Sequence, residues 1–391
     1  MSHSRSLLDS LLCLDFETLR NQRIDSWKRI ADEAHNKFVI FGAGELGMKV
    51  LKSLLADGLR PLAFIDNNAT LNQTTAENIS ILHPDVALER IGPDVLVLLS
   101  VYNTFKPRDQ LKSLGFSRVI HCAIMFAGMP DVALPYVCLD DTDVVFQSRE
   151  QVKEAFELMA DEASKELFVA QIRYRLFMDF DNVLRPQTTE MRMSEYFPSD
   201  LYRFLEDEVL VDCGAYSGDT VNRFLSLRRE KFKKIYAFEP DTKNYALLQE
   251  YVKNLPQNIN EKIETLNQGV GNVAGLVQFH SDGTVRSLAS KKGSDVMTFT
   301  RLDEAMSYAM PTLIKMDIEG GEIDALHGCK EIISFHKPVL AICVYHKSQH
   351  LWSVPLLIRN LCEDYRIYLR AHAEDCWDVT CYAVPRTRVI S

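Results

Sequence analysis

Residues 209–220, Val-Leu-Val-Asp-Cys-Gly-Ala-Tyr-Ser-Gly-Asp-Thr, constrain the fold more than any other stretch of this chain. A short apolar run reaches an acid, Asp212. A turn with Gly214 and Gly218 follows, and a helix begins. A strand that passes through a glycine turn into a helix opens a parallel α/β sheet and forms a cradle for a nucleotide. The spacing is not the G-x-G-x-x-G of a dinucleotide site, which points away from a dehydrogenase.

The chain has 391 residues, too many for one ordinary domain, so two or three are expected. At 47% hydrophobic and 25% charged it reads as globular. A formal net charge of −10 disfavours a nucleic-acid or anionic-membrane partner, since both need a basic footprint. No apolar run reaches the roughly 18 residues of a membrane span. Near the start, Asp9, Ser10 and Asp15 interrupt the leucines that a signal peptide would need. Nine scattered cysteines without C-x-x-C fit a reducing compartment, and a cytoplasmic location is expected. Cys376 and Cys381 lack the second pair that a zinc site needs, and the carboxylates at 317–322, which could bind a metal, show no clear third ligand, so no metal is expected.

Residues 1–36 read as a helical arm that packs on the body or dimerises; a homo-oligomer is an open expectation. Residues 37–130 read as a small Rossmann-like domain with strands at Phe38–Phe41, Pro61–Ile65, Val95–Leu99 and Ser117–His121. Residues 131–205 read as a helical linker. Within it Ser148 and Gln151 form a capping box, and Val152, Ala155, Phe156, Met159 and Ala163 recur at helical spacing. Helix continues, with a break, through Leu167, Ile172 and Leu176. From about 180 to 205 the chain reads as a connecting or substrate-covering segment.

Residues 206–391 form the second α/β domain. Strands are expected at Val209–Cys213, Ile235–Phe238, Thr265–Asn267, Leu313–Met316, Val339–Val344, Tyr365–Arg370 and Val379–Val384. The last two are separated by too few residues for a parallel crossover, so they form an antiparallel hairpin. A parallel sheet with an antiparallel last strand fits a class I methyltransferase, whose methyl donor is S-adenosylmethionine (SAM).

The site residues follow from that sheet. Gly214 and Gly218, with Ala215 between them, let backbone approach a ligand. The amides at the helix start can hold the carboxylate of the SAM methionine moiety, Asp212 its ammonium, and Thr220 helps cap the helix. Glu239, in Phe238-Glu239-Pro240, lies about 21 residues beyond Gly218, where an acid receives ribose hydroxyls. Gln268 is a candidate adenine contact. Lys315-Met-Asp-Ile-Glu-Gly-Gly-Glu322 places Asp317, Glu319 and Glu322 at the end of a buried strand. Asp317 and Glu319 should flank the acceptor; Glu322 either joins them or serves the helix dipole. His346 follows the next strand on the same edge, as a general base or a hydrogen-bonded rim histidine. His372 is a weaker candidate. Arg228, Arg229, Lys231, Lys233 and Lys234 read as a solvated helix end rather than a nucleic-acid patch.

Asp212–Thr220, Phe238-Glu239-Pro240, Leu302-Asp303 after Thr300, and Lys315–Glu322 together resemble the FkbM family of SAM-dependent methyltransferases over roughly residues 205–385. Arg301 departs from the usually apolar segment before Leu302. The resemblance implies a class I fold, SAM as cofactor and methyl transfer to oxygen, often on sugar or polyketide hydroxyls.

Nearer the start, Gly42-Ala-Gly44-Glu-Leu-Gly47 is a full G-x-G-x-x-G, and Asp66 lies about 20 residues beyond it. Alone this favours NAD, but no domain is left over for hydride transfer. The segment resembles the nucleotide-sugar-binding domains of bacterial sugar acyltransferases. That resemblance implies a nucleotide sugar with its pyrophosphate over Gly42–Gly47 and Asp66 on ribose or base; a purely structural module is the alternative. The whole reads as a SAM-dependent O-methyltransferase acting on a saccharide or related acceptor. The competing reading is an NAD or nucleotide-sugar binder with a non-catalytic methyltransferase-like domain.

Overall fold

The computed structural model describes residues 3–102, 104–136, 139–140, 142–178, 193–279, 295–373 and 378–390. The chain forms two compact units: 1–149 with 169–185 and 373–377, and 150–168 with 186–372 and 378–391. The stretch 131–205, expected as a linker, is divided between them; its residues 179–192 lie outside the described residues.

Unit 1 contains β1 (Phe38–Phe41), β2 (Ala63–Ile65), β3 (Thr75–Ala76), β4 (Ile79–Leu82), β5 (Leu96–Leu99) and β6 (Arg118–His121), in the order β3-β4-β2-β1-β5-β6. All pairs are parallel except β3–β4. The central strands are apolar at every position because both faces are covered. Phe38 and Ile40 pack under helix Glu45–Ala56, which turns Leu46, Val50 and Leu54 inward; Val39, Phe41, Val97 and Leu99 pack on the other side with Leu111 and Phe116. The expected arm is helical, His3–Leu12 and Phe16–Glu33. Asp15 caps its second helix, accepting from the Thr18 amide at 2.8 Å. Leu19, Arg23, Trp27 and Ala31 form one buried stripe at four-residue spacing, and Trp27 stacks on Phe38. The arm is part of the unit's core.

Unit 2 contains β7 (Val209–Cys213), β8 (Lys234–Phe238), β9 (Ile263–Leu266), β10 (Gly269–Val270), β11 (Gly275–Phe279), β12 (Asp295–Thr300), β13 (Leu313–Met316), β14 (Val339–Cys343), β15 (Tyr365–Ala371) and β16 (Val379–Pro385). The main sheet runs β15-β16-β14-β13-β7-β8-β9, while β10, β12 and β11 form a small separate sheet. The expected hairpin is present: β16 is antiparallel to β15 and slots against β14, also antiparallel. Helices Arg149–Glu157 and Glu162–Phe177 carry the expected break between them. Ser148 is not an extended cap for the first; at φ −103° and ψ 15° it closes the preceding short helix Asp143–Gln147.

The two sheets share a strand order. In unit 1 the third, second, first, fourth and fifth parallel strands lie side by side as β4-β2-β1-β5-β6; in unit 2 they are β9-β8-β7-β13-β14. Connections leave the first strand in one direction and return on its other side. Each unit therefore opens a crevice at the carboxyl ends of its first and fourth strands.

Candidate functional site

The glycine turn of unit 2 is built from the sheet outward. Gly214 has φ +82°, and a Cβ there would lie 2.0 Å from the Asp317 carbonyl oxygen. Only glycine lets the β7 turn meet the loop after β13 this closely. The Gly214 and Ala215 amides both donate to Phe238 O at 2.9 Å. Gly218, φ +94°, begins helix Asp219–Arg228, and a Cβ there would strike the Tyr251 ring. The first amides of that helix have no intrahelical partner and are the donors a ligand carboxylate would meet. Thr220 is buried in the first turn, but Gly218 occupies the cap position, so Thr220 does not cap the helix.

Asp212 does not face the crevice. It is 0% exposed, and its Oδ1 lies 3.0 Å from Lys315 Nζ, whose hydrogen bonds go to Gly214 O at 2.7 Å and Cys213 O at 3.5 Å. Burial pushes the Asp212 carboxyl up to about 6 against the pull of Lys315. Burial works against the lysine charge, but Asp212, then Asp317 and Asp219, hold the ammonium above its usual range. The lysine links the Gly214 turn to the acidic loop from below, and its charge also lies 5.1 Å from the Tyr196 ring.

Glu239 ends the turn after β8. Its Oε2 accepts the Tyr216 amide at 2.8 Å and its Oε1 the Asp241 amide at 2.9 Å. Burial raises its carboxyl to about 7 despite these bonds. Each oxygen keeps a further lone pair for a hydroxyl. Asn267, expected within a strand, instead leaves β9 and donates its side-chain amide to Glu239 O at 2.9 Å and Pro240 O at 3.1 Å. Gln268 follows, half-buried.

The acidic loop is a network. Asp317 Oδ2 accepts from Tyr196 OH at 2.9 Å, and Oδ1 from Tyr345 OH at 3.1 Å, with His346 Nε2 3.2 Å away. His346 Nε2 also lies 3.7 Å from Glu319 Oε2, and its Nδ1 lies 2.8 Å from Glu322 Oε1. Glu322 Oε2 lies 3.1 Å from His350 Nδ1. Burial opposes charge throughout. Even so, His346 and Lys315 hold the Asp317 carboxyl well below the usual range, and His346 does the same for Glu322. Glu322 and Asp317 in turn hold the His346 imidazole well above its ordinary value. Glu319 has φ +56° and Gly320 +95°, a left-handed pair that a side chain rarely joins outside functional loops.

The structure therefore brings together Gly214, Ala215, Gly218, Glu239, Asp317, Glu319 and His346 at one sheet edge. It turns Asp212 inward and makes Glu322 part of the network rather than a helix-dipole residue alone. Sequence reasoning missed Tyr196, Tyr345 and Lys315. Tyr345 and Lys315 adjoin named site residues; Tyr196 comes from the connecting segment and carries no periodic signal. His372 sits farther back, its Nε2 2.8 Å from Tyr382 OH, which accepts the Tyr196 amide at 2.9 Å. The basic run behaves as a helix end: Arg229 takes the C-cap, Lys231 lies near Glu206 and Lys234 near Glu264. Among the described residues, no three His, Cys, Asp or Glu side chains are grouped to hold a metal ion, and no helix is long and apolar enough to cross a membrane.

In unit 1, Gly42 has φ +100° and packs on Ser100 and Val101, while a Cβ on Gly47 would lie 1.9 Å from Gly42 O. Gly44, at the start of helix Glu45–Ala56, has open space where its Cβ would point. Asp66 Oδ2 accepts the Ala43 amide at 2.9 Å and Oδ1 the Asn68 amide at 2.8 Å. This repeats the tie that Glu239 makes in unit 2: the acid after the second strand holds the turn after the first and its own following amide.

Residues 212–373 match the family model described as a methyltransferase FkbM domain. Among solved structures, the methyltransferase FkbM from Methylobacillus flagellatus KT is similar over 94% of this chain and 100% of that chain, with a TM-score of 0.71 and 22% identity. A SAM dependent methyltransferase from Aquifex aeolicus matches over 50% of this chain and 98% of its own, with a TM-score of 0.29 and 13% identity. UDP-D-quinovosamine 4-dehydrogenase from Vibrio fischeri matches over 22% of this chain and 74% of its own, with a TM-score of 0.18 and 25% identity. No curated protein matches.

Proposed function

We propose that the FkbM methyltransferase domain over residues 212–373 methylates an acceptor hydroxyl with SAM as donor, the acceptor being a saccharide or a related polyol. The observation that carries this reading is the contact of the Gly214 turn with the Asp317 carbonyl. It puts a nucleotide cradle directly against a loop of carboxylates. The residues suit SAM: two glycines whose absent Cβ atoms clear the turn, first-turn amides for a carboxylate, and Glu239 for vicinal ribose hydroxyls. Bound there, SAM supplies an electrophilic methyl group on a sulfonium.

The chain's task is to position the hydroxyl in line with that methyl group and to take its proton. His346 is poorly suited as the base, because both its nitrogens face carboxylates and it is held protonated. Asp317 already accepts from two phenols and lies 3.2 Å from His346 Nε2, so it orients rather than abstracts. Glu319, the carboxylate farther from His346 at 3.7 Å, takes the proton.

For unit 1 we read the open space at Gly44, at a helix start beside Asp66, as the approach of a phosphate-bearing ligand, a nucleotide sugar in preference to NAD. One calorimetric panel of SAM, NAD and a UDP-sugar on the full chain, joined to transfer of labelled methyl, tests both assignments. SAM should bind, and Glu239→Ala should abolish binding. Glu319→Gln should bind SAM normally yet lose about 10²–10⁴-fold in kcat. Undetectable SAM binding ends the methyltransferase reading, and undetectable UDP-sugar binding ends that for unit 1.

A further inference from the structure

We infer that Glu322 is a positioning residue that fixes His346 as an imidazolium bridge between the buried and the acceptor-facing carboxylates, and so sets the 317–320 loop. The inference rests on the acceptor role given above to Asp317 and Glu319.

Glu322 is 0% exposed at the start of the short helix Glu322–His327. Its Oε1 accepts the Ile318 amide at 3.1 Å and the Gly320 amide at 3.4 Å, and lies 2.8 Å from His346 Nδ1. One carboxylate oxygen thus spans the left-handed turn at Glu319 and Gly320 and reaches the imidazole behind it. His346 is met by charged groups on each side. Asp317 and Glu319 face Nε2 from the loop after β13, and Glu322 faces Nδ1 from its helix. His350, on helix His350–Leu361, shares Glu322, and Lys315 reaches the cluster by its field on Asp317. The Tyr345 ring packs against the imidazole with centroids 4.2 Å apart.

A neutral imidazole has one N–H and one lone pair. In either tautomer the lone pair would lie within 3.2 Å of a carboxylate oxygen, Asp317 Oδ1 at 3.2 Å or Glu322 Oε1 at 2.8 Å. Only the cation is attracted to the carboxylates on both sides. Removing the charge of Glu322 removes the partner of Nδ1 and favours the neutral ring. That ring then turns a lone pair toward Asp317 or leaves it, and Glu319 loses its fixed neighbour.

The test is a histidine side-chain NMR titration of the full chain between about pH 5.5 and 9.5, paired with the pH dependence of methyl transfer. His346 should stay protonated throughout in the native protein. In Glu322→Gln its titration should enter this range, and kcat should fall with the same midpoint as pH rises, at least tenfold by about pH 8.5, with SAM affinity within twofold of native. A His346 that is neutral at pH 7.5 in the native protein overturns the inference, and that measurement needs no variant. So does a Glu322→Gln protein whose His346 stays charged. A charged His346 in a protein that transfers no methyl group would instead count against the function proposed above and leave the bridge standing.

Discussion

At the scale of the residue, the glycines of unit 1 show that one motif can hold positions with opposite duties. A Cβ on Gly47 would overlap Gly42 O, whereas one on Gly44 meets nothing within 4 Å. Gly47→Ala should therefore lower the thermal midpoint of unit 1 by several degrees. Gly44→Ala should leave it within a degree, because its φ of −81° suits alanine, while weakening a UDP-sugar at least tenfold. Equal destabilisation by both, or an untouched ligand affinity, would contradict the division. The sequence marked all three glycines but could not rank them, since the ranking depends on which backbone lies above each. The same holds for Asp212. Its place at the end of a strand was legible; its turn inward toward Lys315 was not, because that is decided by register against β13. Tyr196 was illegible for a different reason. Its φ of +65° and its reach to Asp317 come from a non-periodic segment held by tertiary bonds.

At the scale of the element, every strand of the main sheet in unit 2 could be read to within two residues; its central parallel strands are nearly continuous apolar runs bounded by turns. The hairpin was legible from the short connection alone. What escaped were β3 and β4 in unit 1 and the three strands of the small sheet in unit 2. These are short or polar, and they exist through pairing rather than local preference. A buried ion pair ties the main sheet's other end. Arg388 lies 2.9 Å from Glu208 Oε1, donates to Thr312 O at 2.7 Å and to Arg203 O at 2.8 Å, and so joins the residues ahead of β7 and β13 to the segment after β16. Glu208→Ala leaves the guanidinium buried and unpaired, which costs about 3–5 kcal/mol. Denaturant unfolding followed by a probe in unit 2 should show that loss; a change below about 1 kcal/mol would mean that solvent or the carbonyls replace the carboxylate.

At the scale of the whole molecule, the two units should respond to pH with opposite sign. In unit 2, burial raises Asp212 to about 6 and Glu239 to about 7, and carboxylates raise His346. The folded state holds these protons more tightly than the unfolded chain, so the stabilisation from Asp212 and Glu239 is complete at low pH and is lost as pH rises through about 6 and about 7, while that from His346 is lost only as pH rises above about 6.5. Asp317 and Glu322 act oppositely, but only below the ordinary carboxylate range. In unit 1, burial and then Arg108 hold His121 down to about 3, so its contribution is present above about 6.5 and fades as pH falls. Hydrogen exchange resolved by peptide, taken from pH 8 to pH 5 and corrected for intrinsic rates, should show unit 2 gaining protection while unit 1 loses it. Parallel movement of both would remove the assignment.

The place of β16 carries this further, into the order of synthesis. It enters the sheet between β14 and β15, and the segment after it returns to pair Val389 with Tyr202 and Arg388 with Glu208. As the chain leaves the ribosome, the cradle at 213–218 and the acidic loop at 317–322 emerge long before the strand that covers β14. The edge of β14 that β16 will pair has no partner strand throughout that interval, whereas the sheet of unit 1 has all its strands by residue 121.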